Sequence, residues 1–185
     1  MNCKKLLKYE IAGIFIIFFL GVLWHQLYDI LGQNFIVGLI APVNESMWEH
    51  WKIGFFPIII YSIIEYFFVK DETRNFLFSK FISIIIFEIV CFSLTALWHY
   101  FFKEAPETLN LIVDIGSYFI GIVFGQIAGY YTACKTNYKK TLFYVAILGI
   151  FIHIIVFIIF TINPPKYAYF KDSTTGEYGI FNTKS

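Results

Sequence analysis

The chain has 185 residues, of which 58% are hydrophobic and only 15% are charged. Soluble domains carry charge on about a quarter of their residues, so this composition indicates an integral membrane protein. The 23 Phe, 13 Tyr and 4 Trp residues exclude a disordered chain. A net charge of +1 excludes the basic field that nucleic-acid-binding proteins present. The length fits a single domain.

Five apolar stretches are long enough to cross a bilayer as helices, which requires roughly 20 residues for about 30 Å of hydrocarbon. They cover residues 9–31, 51–69, 76–102, 109–134 and 141–162. None shows the alternating pattern of a barrel strand. The sequence therefore predicts an all-α bundle of five transmembrane helices.

Lysine and arginine are distributed unequally between the two sides of this predicted bundle. The flank before span one and the loops after spans two and four contain Lys4, Lys5, Lys8, Lys70, Arg74, Lys80, Lys135, Lys139 and Lys140. Because cytoplasmic flanks accumulate positive charge, we predict a cytoplasmic N-terminus and an external C-terminal tail. The predicted division is a transmembrane domain of residues 1–162 and an external tail of residues 163–185.

The three cysteines predict neither an outer-face disulfide nor a zinc-thiolate cluster. Cys3 and Cys134 fall on the predicted cytoplasmic side, and Cys91 falls within the third span. No pair has the spacing of zinc ligands. A metal site would therefore have to use other side chains.

Histidines collect at one predicted depth, near the outer ends of the spans. His25 lies at the end of span one, His50 at the start of span two and His99 at the end of span three. Tryptophans prefer the membrane interface, and they mark the same depth at Trp24, Trp48, Trp51 and Trp98. Polar groups within spans face the bundle interior or water, so the histidines are predicted to face inward.

Carboxylates accompany these histidines. Asp114 lies in the first turns of span four, and Glu45 and Glu49 precede span two. Imidazole and carboxylate groups are suitable ligands for a divalent ion, zinc above all, and one acid would be free to act as general base. We predict metal ligands at His25, His50 and His99, and catalytic carboxylates at Glu45, Glu49 and Asp114. Asp29, one turn beyond His25, is predicted to orient that imidazole.

The segment before span two also has a structural explanation. Ser46 and Glu49 have the spacing of a capping box, a common signal of a helix start. For each histidine taken alone, a structural role with a hydrogen bond to a neighbour is the more common explanation, whereas three histidines at one depth beside acids favour a site. The sequence has no HExxH motif, so a metal site would have to be assembled from distant segments.

Three further ionisable residues lie inside the predicted spans. Glu65 belongs to span two, Glu88 to span three and His153 to span five. Such residues mark ion or proton paths in membranes, although Glu88 and His153 can also form a structural pair. They favour an alternative function as a small transporter or an ion-coupled or proton-coupled protein.

Small residues recur in span four, at Gly121, Gly125 and Gly129. This spacing is typical of helices that pack closely in membranes. A lipid or substrate groove is the alternative interpretation. Close packing would carry Asp114 towards the centre of the bundle.

The tail begins where Pro164-Pro165 end span five. The polar stretch Lys171-Asp-Ser-Thr-Thr-Gly176 then lies between two aromatic runs. This pattern predicts a small hairpin or flap on the outer surface. The flap either covers the site or rests on the lipid headgroups.

Three stretches resemble an uncharacterised family of small multi-pass bacterial membrane proteins: Val43-Asn-Glu-Ser-Met-Trp-Glu-His50, residues 114–126 and Phe170-Lys-Asp-Ser-Thr-Thr-Gly-Glu-Tyr-Gly179. The family hallmark falls here on Asn44, Glu45, Ser46, Trp48, Glu49 and His50, while Met47 occupies its variable position. The resemblance covers nearly the whole chain. It implies a bacterial cytoplasmic membrane location and an integral tail, and implies nothing about chemistry.

Three functions remain open from the sequence. The first is a metal-dependent hydrolase or transferase that acts on a lipid or other amphiphile at the outer leaflet. The second is the transporter that uses Glu65, Glu88 and His153. The third is a membrane scaffold or accessory subunit, for which the glycine face and the tail would bind a partner. Membrane lipids are the expected surroundings in each case, a homo-oligomer is compatible with all three, and nucleic acid is not an expected partner.

Overall fold

The computed structural model describes residues 3–73, 75–137 and 139–180, and this part of the chain is almost entirely helical. In chain order the helices are α1 (Lys4–His25), α2 (Leu27–Ile30), α3 (Phe35–Gly38), α4 (Trp51–Val69), α5 (Phe76–Phe101), α6 (Glu107–Lys135) and α7 (Lys140–Ile162). Five of them, α1 and α4 to α7, are long and apolar enough to cross a membrane. The predicted all-α bundle with five spans is thereby confirmed.

The first span is shorter at its end than predicted. Helix α1 stops at His25, and the remaining residues of the predicted span form the separate turn α2. Gly32 and Gln33 then take left-handed backbone conformations, with φ of 69° and 59°. Asn34 caps α3 by accepting a hydrogen bond from the Ile36 N–H at 2.9 Å. These breaks fold residues 26–50 across the end of the bundle.

Helices α5 and α6 pack closely through the predicted glycine face. A Cβ atom placed on Gly121 would lie 2.8 Å from Cβ of Cys91, and one on Gly125 would lie 2.7 Å from the Ser83 carbonyl oxygen. At Gly129 the distance to Oγ of Ser83 would be 2.1 Å. Real Cβ atoms do not approach so closely, so these positions need glycine. The packing interpretation of this spacing is confirmed.

The centre of the bundle is filled by large apolar side chains that are fully buried. Phe55, Phe87 and Phe157 meet there, together with Ile58 and Ile122. The outward faces carry exposed apolar side chains instead, among them Phe19 of α1, Phe67 of α4 and Phe151 of α7. Contiguous apolar surface of this kind is expected where lipid covers a protein.

The two ends of the bundle differ in chemistry. The histidine end contains His25, His50 and His99, and the lysine end contains Lys70 and Lys135. Cys3 and Cys134 form a disulfide at the lysine end, and Cys91 is free and buried. The expectation that no disulfide forms at the histidine end holds for the described cysteines.

The tail folds back over the histidine end. Ala168–Phe170 form a single 3₁₀ turn, and Lys171 pairs with Tyr178 in one antiparallel bridge. The Ile180 N–H donates to the Thr161 carbonyl at 2.8 Å, which holds the end of the described tail against α7. Residues 181–185 of the predicted tail domain lie outside the described part.

Candidate metal centre

Two histidines and one glutamate meet at the histidine end. Nε2 of His25 lies 3.2 Å from Nε2 of His50. Oε2 of Glu45 lies 3.6 Å from the first of these nitrogens and 3.4 Å from the second. Ligands of a tetrahedral zinc ion, each about 2.0–2.2 Å from the metal, lie roughly 3.3–3.5 Å from one another. The three ligand atoms therefore form a triangle of the size that one zinc ion requires, and we call these residues the histidine cluster.

The second ring nitrogens of the histidines have polar neighbours that can orient them. Nδ1 of His50 lies 2.7 Å from the Ser46 carbonyl oxygen, which accepts a hydrogen bond from it, so Nε2 carries the lone pair in the neutral ring and donates to Glu45 in the protonated ring. Nδ1 of His25 lies 3.0 Å from the side-chain amide nitrogen of Gln26, which donates to it. Metal-bound histidines characteristically donate their other N–H to a backbone carbonyl or carboxylate, as His50 does.

The charges of the histidine cluster stabilise one another. Hydrogen bonds from His25 and His50 hold the pKa of the Glu45 carboxyl well below its usual range. Burial lowers the pKa of His50, but its hydrogen bonds to Glu45 and Ser46 and the charges of Glu45 and Asp114 outweigh burial, so the pKa is raised overall. Glu45 is therefore an ionised carboxylate, the form that binds metal.

Three different segments position the histidine cluster. His25 is the last residue of α1, and His50 directly precedes α4. Glu45 is held from both sides of its peptide: its N–H donates to Oδ1 of Asp172 at 3.2 Å, and its carbonyl accepts from Oγ of Ser173 at 3.1 Å. The tail thus fixes the backbone of a cluster residue.

The histidine cluster lines a cavity of about 840 Å³. Its polar lining includes His25, Glu45, His50, His99, Asp114 and Lys171. Its apolar lining comes from the spanning helices, at Phe18, Val22, Ile53, Leu111, Ile115 and Tyr118. This size and this mixed lining are typical of a site for a small ligand.

His99 lies at the same cavity but bonds to a different partner. Its Nε2 lies 3.0 Å from Oδ1 of Asp114, and both side chains are about two-fifths exposed, at 40% and 42%. Within the described part of the chain, the group whose ligand atoms lie close enough to share one metal ion is His25, Glu45 and His50. The structure thus places predicted ligand His99 with predicted carboxylate Asp114, as a separate pair beside the histidine cluster.

Glu49 lies away from the histidines, in a buried pair with Lys52. Its Oε2 accepts from Nζ of Lys52 at 2.7 Å, and its Oε1 accepts from Oγ1 of Thr161 at 3.1 Å. Nζ of Lys52 also donates to the Gly38 carbonyl at 2.9 Å. We call Glu49, Lys52 and Thr161 the Lys52 cluster. Every one of these side chains is essentially inaccessible, which leaves no room for substrate at Glu49.

The interpretation of Ser46 as the cap of span two is wrong, because α4 begins at Trp51 with His50 as its N-cap and no side-chain cap bond. The Glu49 N–H does donate to Oγ of Ser46 at 3.3 Å, within the turn that precedes the helix. The Ser46 N–H donates to Oδ1 of Asn44 at 2.9 Å and not to Glu49, because the Glu49 carboxylate pairs with Lys52.

Asp29, which was predicted to orient His25, accepts a hydrogen bond from Gln33 at 3.2 Å. The side chain that contacts the His25 ring is that of Gln26.

Two residues of this region have roles that the sequence reasoning did not assign. Lys52 follows Glu49 by three residues, a spacing that favours ion pairs on a helix, and this signal could have been used. Asp172 accepts hydrogen bonds within its own turn from Thr174 and Thr175. An Asp before Ser and Thr residues is a known turn signal, but its bond to Glu45, 127 residues away, has no sequence signature.

The intramembrane residues fall into two separate clusters. His153 Nε2 lies 3.2 Å from Oε2 of Glu88, so the expected pair of these two residues is present. Glu65 pairs with Lys80 of α5 and not with either of them. The three groups proposed for an ion path are thus divided between two sites.

Comparison with known proteins identifies the family of this chain. No curated protein and no solved structure matches the chain. A family model described as a family of unknown function, DUF6512, matches residues 1–180. This range contains the histidine cluster, the His99–Asp114 pair and the described tail, and it agrees with the resemblance to an uncharacterised family. The chain belongs to the DUF6512 family.

Proposed function

We propose that this protein is a metal-dependent membrane enzyme, a hydrolase or transferase that acts on a lipid or other amphiphile at the histidine end. The observation that carries the proposal is the triangle of His25, His50 and Glu45 ligand atoms at the wall of a large cavity. Zinc is the proposed ion. Three protein ligands leave the fourth position of a tetrahedral zinc for water or substrate, as in catalytic zinc sites.

The ion would supply Lewis acidity and a water of lowered pKa. The neighbouring His99–Asp114 pair is suited to proton transfer, because Asp114 holds the imidazole in one orientation while both side chains remain open to the cavity. In this assignment His25, His50 and Glu45 hold the ion, and His99 with Asp114 accepts the proton. Glu49 stabilises the fold.

The lining of the cavity supports an amphiphilic substrate. Apolar side chains of α1, α4 and α6 form one part of the wall, and these helices are apolar enough to span a membrane. Lys171 of the tail adds a cationic side chain at the polar part. An acyl or similar chain would lie along the helices, and an anionic headgroup would reach Lys171.

The distribution of basic residues supports an orientation with the lysine end in the cytoplasm and the histidine end outside, and the family resemblance is the ground for proposing the cytoplasmic membrane of a bacterium. Single-cysteine variants in a Cys-free background test this. Ser173→Cys is expected to react with a membrane-impermeant maleimide in intact cells, whereas Asn137→Cys, exposed at the lysine end, is expected to react only after lysis. The reverse pattern would invert the proposed orientation.

The decisive experiment for the metal is elemental analysis of protein purified in detergent without chelator. We expect close to one zinc per chain in the parent protein and in His153→Ala, the matched control at a histidine outside the cluster. We expect His50→Ala to lack zinc while eluting as the same folded species in gel filtration.

Two results would contradict the proposal. One is a parent protein that contains no metal and takes up none on dialysis against zinc, which would leave the histidines as a hydrogen-bonded structural pair. The other is equal zinc content in the parent and His50→Ala. If metal is present, turnover of membrane lipid extracts followed by mass spectrometry tests the reaction, with His99→Asn as the variant expected to retain metal and lose activity.

A further inference from the structure

A second charged cluster lies inside the bundle, towards the lysine end. Nζ of Lys80 in α5 lies 2.7 Å from Oε1 of Glu10 in α1 and 2.6 Å from Oε2 of Glu65 in α4. One ammonium group thus bridges two carboxylates from different helices. We call these residues the Glu–Lys–Glu triad.

The triad is removed from solvent. Glu10 and Lys80 are each 2% exposed and Glu65 is 0% exposed. Oε2 of Glu10 and Oε1 of Glu65 have no hydrogen-bond partner among the described residues. Buried polar atoms in proteins are almost always hydrogen-bonded, so these two oxygens require a further occupant.

The neighbouring polar groups donate to backbone carbonyls and not to the free oxygens of Glu10 and Glu65. The Tyr61 hydroxyl of α4 donates to the Tyr9 carbonyl at 2.5 Å, and the Gln126 amide of α6 donates to the Glu10 carbonyl at 3.4 Å. Lys80 is the cation that contacts Glu10 and Glu65 in the described part of the chain. With both carboxylates ionised, the triad would carry a net charge of −1.

An uncompensated charge among membrane-spanning helices is strongly unfavourable, and such groups normally become neutral or acquire a partner. A single proton neutralises the triad, and it also gives one carboxyl oxygen an O–H with which to donate to the other residue's free oxygen or to a backbone carbonyl. Two carboxylates that share a site commonly hold one proton between them.

We infer that Glu10, Lys80 and Glu65 form a buried proton-binding site, in which the two carboxyl groups hold one exchangeable proton beside the Lys80 side chain. The site is independent of the proposed metal centre, which lies at the opposite end of the bundle and uses none of these residues. In this proposal Glu65 binds a proton together with Glu10 and Lys80. The pair of Glu88 and His153 is a separate site.

A cavity of about 510 Å³ adjoins the triad at Lys80, and Ser62, Lys70 and Thr73 also line it.

Infrared spectroscopy of the detergent-purified full chain tests the inference directly. A protonated carboxylic acid gives a C=O stretching band that is separate from carboxylate bands and shifts in D₂O. At neutral pH we expect this band in the parent protein and its loss in both Glu10→Gln and Glu65→Gln. Each substitution leaves one carboxylate and one ammonium, which are neutral together without a proton. Glu88→Gln is the matched control, because Glu88 is the other buried intramembrane glutamate, and it should leave the triad band unchanged.

Thermal unfolding in the same detergent gives a second measurement. Glu10→Gln and Glu65→Gln should melt at or above the temperature of the parent protein, since an amide replaces a neutral acid. Lys80→Met should melt far lower, because the ionised carboxylate of the pair then lacks its cation. Unfolding of either single glutamine variant at neutral pH would overturn the inference.

Absence of the band from the parent protein would also overturn it, because both carboxylates would then be ionised. A band that appears only when sodium is replaced by choline would assign the site to a metal cation and overturn the proton assignment. Neither result would bear on zinc at the histidine cluster, so the two proposals fail separately.

Discussion

The segment from Glu45 to Lys52 supplies two charged clusters of opposite character. In the Lys52 cluster, Glu49 and Lys52 are fully buried, and both form several hydrogen bonds. In the histidine cluster, Glu45 is 45% exposed and the side chains of His25 and His50 are about one-quarter exposed, and all three line a cavity. Buried charged groups whose hydrogen bonds are all made within the protein stabilise the fold. Partly exposed groups that converge on a cavity remain free to bind a ligand.

Replacing Lys52 with Met should give the largest effect on folding. The variant leaves the Glu49 carboxylate buried without its cation, and breaking such a pair costs about 3–5 kcal/mol. We expect a strong drop in melting temperature in detergent and low yield. Lys103→Met, at an exposed lysine of the same end, is the control. Equal melting of Lys52→Met and the parent protein would remove the structural role assigned to this cluster.

Glu45→Gln and Glu49→Gln make the same chemical change in the histidine cluster and in the Lys52 cluster, so together they test whether the two clusters differ in function. Glu45→Gln should keep the fold and lose stabilisation by zinc, which amounts to about 2.7 kcal/mol when zinc is present at 100 times its Kd. Glu49→Gln should lose stability and retain a zinc-dependent shift. Thermal melts with and without added zinc measure both effects. Identical responses of the two variants would show that the clusters are not functionally distinct.

Asp172→Asn tests whether the tail supports the metal centre. Burial raises the pKa of Asp172, but hydrogen bonds from Thr175, Thr174 and Glu45 lower it overall, so the residue is ionised. The variant should weaken a charge-assisted bond that orients Glu45, and losses of outer supporting bonds reduce metal affinity about 10–100-fold. Competition with a chelating dye measures the affinity. Asp71→Asn, at an exposed residue of the lysine end, should leave it unchanged.

The smallest effect on stability is expected for Asp114→Asn. The His99–Asp114 pair is about two-fifths exposed, and solvent-exposed ion pairs contribute about 0–1 kcal/mol. Melting temperature and zinc content should both stay near those of the parent protein, while turnover of any identified substrate falls. Loss of zinc from this variant would instead place Asp114 among the metal ligands.

Much of the architecture could be predicted from residues 4–162. The five spans follow from hydropathy, because a bilayer allows only helices whose length matches its thickness. The close approach of α6 to a neighbouring helix follows from the spacing of Gly121, Gly125 and Gly129, since small residues permit it, while its partner α5 is known only from the structure. Span hydropathy and glycine spacing are properties of residues close together in the sequence, so they can be read without knowing the tertiary structure.

The candidate site was predictable in composition but not in arrangement. The depth of His25, His50 and His99 follows from their places in the spans, and all three line the cavity. Periodicity alone could not show that His99 pairs with Asp114, or that Glu49 pairs with Lys52. These pairings depend on where α1 ends and on how residues 26–50 cross the end of the bundle.

By itself, the sequence determined an all-α membrane bundle and the end at which its histidines and tryptophans collect. Only the tertiary structure decided the partner of each charge. Glu45 meets Asp172 across 127 residues, and Lys80 meets Glu10 across 70. Such contacts depend on the packing of whole helices and on the docking of the tail, and a buried charge takes whichever partner that packing brings within hydrogen-bond distance.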